Sequence, residues 1–128
     1  MPEKASKTIL IIDDDATLRE TYQMIFQEKG FTAITAKDGR SGIEAAAENK
    51  PDIIILDLMM PGMNGKEVLG ELKANADLKK IPVIVSTALI EDLEQGEVKS
   101  LGAEAYTVKT QIEPDDLVAL AKKVLHTK

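Results

Sequence analysis

The chain contains no cysteine, which excludes disulfides and thiolate-held metal sites. Its single histidine, His126, stands close to the C-terminus, and one imidazole does not make a metal or catalytic site. Long hydrophobic runs are missing as well. Short stretches such as Ile9–Ile12 fall far below the roughly 18 apolar residues that a membrane-spanning helix needs. Met1–Thr8 is polar and lysine-bearing, without the apolar segment of a signal peptide. A basic stripe is absent too. The formal net charge is −6, and Lys79-Lys80 and Lys122-Lys123 are isolated pairs that read as solvated helix faces. These absences lead us to expect a cytoplasmic protein that contacts neither membrane nor nucleic acid.

What remains is an ordinary globular composition, 44% apolar and 30% charged over 128 residues, enough for one domain with a real core. Residues 1–6 are expected to form an N-terminal tail. Apolar periodicity divides the rest into short strands and helical segments. Strands are predicted at Thr8–Ile12, Phe31–Ala36, Asp52–Leu56, Ile81–Val85 and Ala105–Val108. Pro82 falls at the start of the fourth, where a missing N–H is tolerated.

Between the strands, Leu18, Tyr22, Ile25 and Phe26 recur at helical spacing before Gly30. A second helix is predicted after Asp38-Gly39, with Ile43, Ala46 and Ala47 on one face. A third carries Val68, Leu69 and Leu72. Leu93, Val98 and Leu101 suggest a fourth. The last begins at Pro114 and turns Leu117, Leu120, Ala121, Val124 and Leu125 inward. Alternating strand and helix argues for a parallel sheet covered on both faces. The first and third strands are almost wholly Ile and Leu, as burial on both faces requires, and the alternating second strand reads as an edge. The expectation is an α/β fold with a doubly wound five-stranded parallel sheet, (βα)5, in three layers.

In such a sheet, ligands bind beyond the carboxyl ends of the strands. The first strand runs into Asp13-Asp14-Asp15 and the third into Asp57. If these strands are neighbours, Asp13, Asp14 and Asp57 meet at one rim. Three carboxylates in one space repel unless a cation joins them, and Mg²⁺ suits a few carboxylates. Asp15 alone reads better as a helix cap. The fourth strand brings Ser86 and Thr87 to the same rim, of which alternation favours one pointing inward, and the fifth brings Lys109. Acids that hold a metal, a hydroxyl donor and an ammonium together suit a phosphoryl group.

These pieces, ILIIDDD at 9–15, IIILDLMMPGMNG at 53–65, PVIVSTA at 82–88 and GAEAYTVK at 102–109, resemble the receiver domain of two-component response regulators over nearly the whole chain. In length it is similar to the stand-alone, chemotaxis-type members. The resemblance implies a flavodoxin-like sandwich and a role for each position. Asp57 is the phosphoacceptor. Asp13, Asp14, Asp57 and the Met59 backbone carbonyl hold Mg²⁺ (or Mn²⁺). Thr87, the Ala88 backbone and Lys109 bind the phosphoryl group, and Thr87 and Tyr106 form the switch. It also implies a sensor histidine kinase or phosphotransfer protein as donor. The downstream protein target would dock on the face of the fourth helix, fifth strand and fifth helix, with the unphosphorylated chain a monomer. The domain would catalyse its own phosphorylation and the hydrolysis of the aspartyl phosphate.

Two departures stand out. Thr110 follows Lys109 where the family often has proline after a cis bond; a cis bond to a non-proline costs about 2.5–4 kcal/mol, so the sequence leaves the Lys109–Thr110 bond open between cis and trans. Met59 and Leu89, two residues beyond Asp57 and Thr87, cannot orient water by a side-chain hydrogen bond, so slow self-hydrolysis is expected. Three other readings compete with the first. One is a degenerate receiver that binds partners without phosphorylation, for which Thr110 is the main support. An aspartyl-nucleophile phosphatase of the haloacid-dehalogenase type would carry a second Asp where Met59 stands. A flavin module would not tolerate Asp13-Asp14-Asp15 against a phosphate.

Overall fold

The computed structural model describes residues 7–88 and 102–126. Five strands, β1 (Thr8–Ile12), β2 (Thr32–Ala36), β3 (Ile53–Asp57), β4 (Val83–Thr87) and β5 (Ala105–Val108), form one sheet in the order β2-β1-β3-β4-β5. Every pairing is parallel. The described helices are α1 (Ala16–Glu28), α2 (Gly39–Asn49), α3 (Gly65–Ala74) and the C-terminal helix Pro114–His126. Among the described residues no helix is long and apolar enough to cross a membrane. The predicted doubly wound sheet is therefore observed, with β2 at an edge as expected. The helix suggested by Leu93, Val98 and Leu101, like the tail at 1–6, lies outside the described residues.

Alternation along the central strands builds two cores. Ile9, Ile11, Ile53, Ile55 and Ile84 meet Tyr22 and Phe26 of α1 and Leu117, Val118, Ala121 and Val124 of the C-terminal helix. On the other face, Leu10, Ile12, Ile54, Leu56, Val83 and Val85 meet Ala46 of α2 and Val68, Leu69 and Leu72 of α3. Burying each large aliphatic side chain contributes about 1.5–3 kcal/mol, so the two layers hold the strand ends rigidly.

Local chemistry sets the boundaries. Asp15 caps α1 by accepting the Leu18 N–H at 3.1 Å, and Asp38 caps α2 by accepting that of Ser41 at 2.8 Å. Asn64 and Glu67 form a reciprocal capping box at the start of α3. The predicted second strand loses Phe31, whose N–H turns back to the Phe26 carbonyl at the end of α1. Strand β4 runs two residues later than predicted. Ile81 donates to Leu78 in a turn, and Pro82 has no N–H for the ladder although its carbonyl accepts from Ile54. The third strand likewise keeps Asp57 as its last residue. Ala47, expected on the inner face of α2, is exposed, and that face is made by Gly39, Gly42 and Ala46, with Ile43 packed against the same core as expected.

The opposite ends of β4 and β5 are tied together by charge. Lys73 Nζ donates to the carbonyls of Lys79 (3.2 Å) and Ile81 (3.4 Å) and pairs with Glu104 at 3.8 Å. Glu104 Oε1 accepts the Val83 N–H at 2.8 Å.

Candidate functional site

The register Ile12 to Leu56 sets the next residues, Asp13 and Asp57, side by side at the carboxyl end of the two central strands. Each is only 3% exposed, whereas Asp14 is exposed. Asp13, Asp14 and Asp57 each offer a carboxylate oxygen, and these oxygens lie within 4.8 Å of one another. The three acids that the sequence assigned to one rim do converge there. Asp15 stays apart as the α1 cap.

The loop after β1 is fastened from several sides. Asp13 N–H donates to the Ala36 carbonyl at 3.1 Å, Asp15 N–H to Asp13 Oδ1 at 2.9 Å, and Arg19 Nη1 to the Asp13 carbonyl at 2.7 Å. The loop after β3 is held by close packing. Gly65 N–H donates to the Leu58 carbonyl at 2.9 Å. A Cβ on Gly65 would stand 2.5 Å from the Asp57 carbonyl oxygen and 2.6 Å from Leu58 Cα. Only glycine lets the start of α3 come this close to the backbone that carries Asp57.

Lys109 reaches this rim from the end of β5. Its Nζ stands 2.8 Å from Asp13 Oδ2 and 3.3 Å from Asp57 Oδ1. Met59 N–H also donates to Asp57 Oδ1, at 3.2 Å, while the Met59 side chain is 58% exposed. Burial, then the neighbouring Asp13 carboxylate, pushes the Asp57 carboxyl up to about 7, against the pull of Lys109. Burial works to lower the Lys109 pKa, but its bonds to Asp13 and Asp57 prevail and the net shift is upward. One ammonium therefore does not offset the crowded acids. An all-oxygen donor set with an unrelieved negative excess fits a hard divalent cation such as Mg²⁺.

The two hydroxyls of β4 separate by alternation. Thr87, fully buried, has the parity of Val83 and Val85 and so faces the α2/α3 side. Tyr106, paired with Val85, packs on that same side, half-buried, and its hydroxyl donates to the Ala103 carbonyl at 3.3 Å. Ser86 has the parity of Ile84 and lies in register with Asp57. Ala88, the next residue after β4, is exposed. Lys109 opens a short 3-10 turn, Lys109–Gln111. No peptide bond among the described residues is cis, so the bond from Lys109 to Thr110, left open by the sequence, is trans.

Sequence reasoning missed Arg19 and Tyr22 as parts of this region. Arg19 follows Leu18 at the border of the buried stripe of α1, which is the one signal that it could reach back. Tyr22 was read as core, and it is buried. Burial raises its phenol pKa, with Lys109 opposing and Asp13 reinforcing that rise, which sets the ring within the field of the rim.

Comparison with known proteins agrees with the geometry. The family model for the response regulator receiver domain matches residues 9–122. The DNA-binding response regulator MtrA of Mycolicibacterium paratuberculosis is 35% identical over 111 residues, 87% of this chain and 48% of that protein. The phosphate regulon transcriptional regulatory protein PhoB of Pseudomonas aeruginosa is 35% identical over 119 residues, 93% of this chain and 52% of that protein. The chain thus spans about half the length of these curated relatives. Among solved structures, the chemotaxis response regulator CheY4 of Vibrio cholerae superposes with a TM-score of 0.86 at 28% identity, covering 94% of this chain and 99% of that one. The signal receiver domain of a histidine kinase from Syntrophus aciditrophicus gives 0.86 at 30% identity, covering 95% and 92%.

Proposed function

The chain belongs to the response regulator receiver domain family, and from that premise we propose that it accepts a phosphoryl group on Asp57 from a sensor histidine kinase or phosphotransfer protein. One observation carries the reading: a buried carboxylate ends the central strand within reach of Lys109 and shares its space with Asp13 and Asp14. In the transfer, an Asp57 carboxylate oxygen attacks phosphorus. The new O–P bond forms as the P–N bond to the donor imidazole breaks, and the electron pair leaves with the imidazole. Asp13, Asp14, Asp57 and the Met59 carbonyl would hold Mg²⁺ or Mn²⁺, which supplies neutralisation of the phosphoryl charge. Lys109, the Thr87 hydroxyl and the Ala88 N–H are the protein donors for the phosphoryl oxygens.

The product carries roughly one more negative charge and new strong acceptors. Thr87 and Tyr106 share one face of the sheet, two register positions apart. This supports a switch in which Thr87 moves to the phosphoryl group and Tyr106 turns into the vacated space. The surface that changes is that of β5 and the C-terminal helix; the fourth helix expected beside them falls on residues 89–101, outside the described residues. A downstream protein reads it in the cytoplasm, and this domain touches neither membrane nor nucleic acid. The unphosphorylated chain is a monomer. Met59 and Leu89, the latter outside the described residues, are apolar and cannot orient water by a side-chain hydrogen bond, so the aspartyl phosphate decays slowly.

The test is incubation with Mg²⁺ and acetyl phosphate, read by intact mass. A single phosphoryl adduct that vanishes in Asp57→Ala is the expected result. Absence of any adduct with this donor and with a phosphorylated histidine kinase would overturn the reading in favour of phosphorylation-independent binding.

A further inference from the structure

One buried hydroxyl at the rim is not used by the reading above. Ser86 is 1% exposed, and its Oγ has no hydrogen-bond partner among the described residues. A buried hydroxyl without a partner is costly, so its retention asks for an explanation. Its position supplies one. Asp57 pairs with Ser86 and Ser86 with Thr107, so the three stand in one row across β3, β4 and β5. In-register neighbours in a sheet share a face and stand ~4.8 Å apart. A hydroxyl and a carboxyl on such neighbours come within hydrogen-bond reach by side-chain rotation alone. Thr107 is otherwise engaged, its Oγ1 directed at the Val85 carbonyl at 3.5 Å.

We infer that Ser86 is a positioning residue of the acceptor site, whose hydroxyl donates to the Asp57 carboxyl oxygen that does not take phosphorus. This rests on the reading of Asp57 as phosphoacceptor. In the resting chain Asp57 Oδ1 takes the Met59 N–H and Lys109 Nζ, and Lys109 also serves Asp13. Transfer adds three phosphoryl oxygens that compete for the same ammonium. The Asp57 oxygen left behind becomes the carbonyl of a mixed anhydride, still buried and now short of a donor. Its surroundings are rich in acceptors, so the hydroxyl beside it donates. In hydrolysis water attacks phosphorus, the P–O bond to Asp57 breaks, and the electron pair returns to the carboxyl. The Ser86 hydrogen bond strengthens as that charge returns and so favours release.

Ser86→Ala is expected to lengthen the lifetime of the phosphorylated protein by about two- to tenfold, the range of one modest hydrogen bond. Its aspartyl-phosphate C=O stretch, followed by isotope-edited infrared spectroscopy, moves to higher frequency. A merely structural serine would not move that band. Ser86→Cys, nearly isosteric with a weaker donor, falls between the two and guards against misfolding of the alanine variant. Equal lifetimes and unchanged carbonyl frequency in both variants would overturn the inference while leaving Asp57 as acceptor. No adduct on the wild-type chain would overturn both.

Discussion

Strand β3 is bracketed by two aspartates, and they live under different rules. At its start, Asp52 accepts the Thr8 N–H through Oδ2 at 2.8 Å while its own N–H donates to the Thr8 carbonyl at 2.8 Å. It is half-buried, and Lys7, Thr8, Pro51 and Ile53 around it bring no second carboxylate. Asp57, at the finish, is buried among Asp13, Asp14 and Lys109, with its carboxyl pushed up to about 7. The first acid is satisfied by backbone and clips two strands together. The second is held in an unresolved electrostatic conflict, which is the condition a cation or phosphoryl chemistry can exploit.

The sharpest way to break this contrast is to neutralise each acid in turn. Asp57→Asn is expected to abolish phosphoryl uptake from acetyl phosphate outright, whereas Asp52→Asn retains it, both read by intact mass. Next in size is Gly65→Ala, whose new methyl group meets the backbone of Asp57 and Leu58. It is expected to destabilise the fold by about 3 kcal/mol in urea titration.

The pH dependence sharpens the same contrast. A carboxyl raised from about 4 when unfolded to about 7 when folded binds its proton more tightly in the native state. Stability of the metal-free protein therefore falls as pH rises between these values, by at most about 1.4 kcal/mol per pH unit. Asp57→Asn flattens that slope, and added Mg²⁺ shifts it to lower pH. Both are measurable by denaturant titration across pH 4–8.

At the quiet end the effects shrink. Asp52→Ala loses the bond to Thr8 and is expected to cost about 1 kcal/mol. Lys50, which caps α2 with a left-handed φ of 45°, is better served by glycine, and Lys50→Gly is expected to stabilise by about 0.5 kcal/mol.

The same two ends explain how much could be read in advance. Uninterrupted Ile and Leu runs identified β1 and β3, and the strand–helix alternation gave the sheet class, because burial on both faces leaves no other composition. The acids were legible as a group since Asp13 and Asp57 each directly follow such a run and Asp14 comes next. The start of β4 was misplaced because Ile81 has the apolarity of a strand residue while its N–H belongs to a turn. The inner face of α2 was blurred because Ala46 and Ala47 are chemically identical and only the helix phase separates them. Arg19 was invisible because charge normally marks a solvated face, and the use of its guanidinium depends on where a loop carbonyl ends up. Ser86 and Thr87 needed the registry of three strands before either hydroxyl could be given a side.

The Lys73–Glu104 tie has a mechanical consequence. It clamps the beginning of β4, through Val83 and Ile81, to the end of α3 and the approach to β5. A beam anchored at one end deflects at the other, so any displacement provoked by chemistry has to be taken up between Val85 and Ala88. Amide exchange should accordingly stay slow at Val83 and change at Thr87 when the protein is loaded, and cutting the anchor with Glu104→Ala should spread that change along the whole strand.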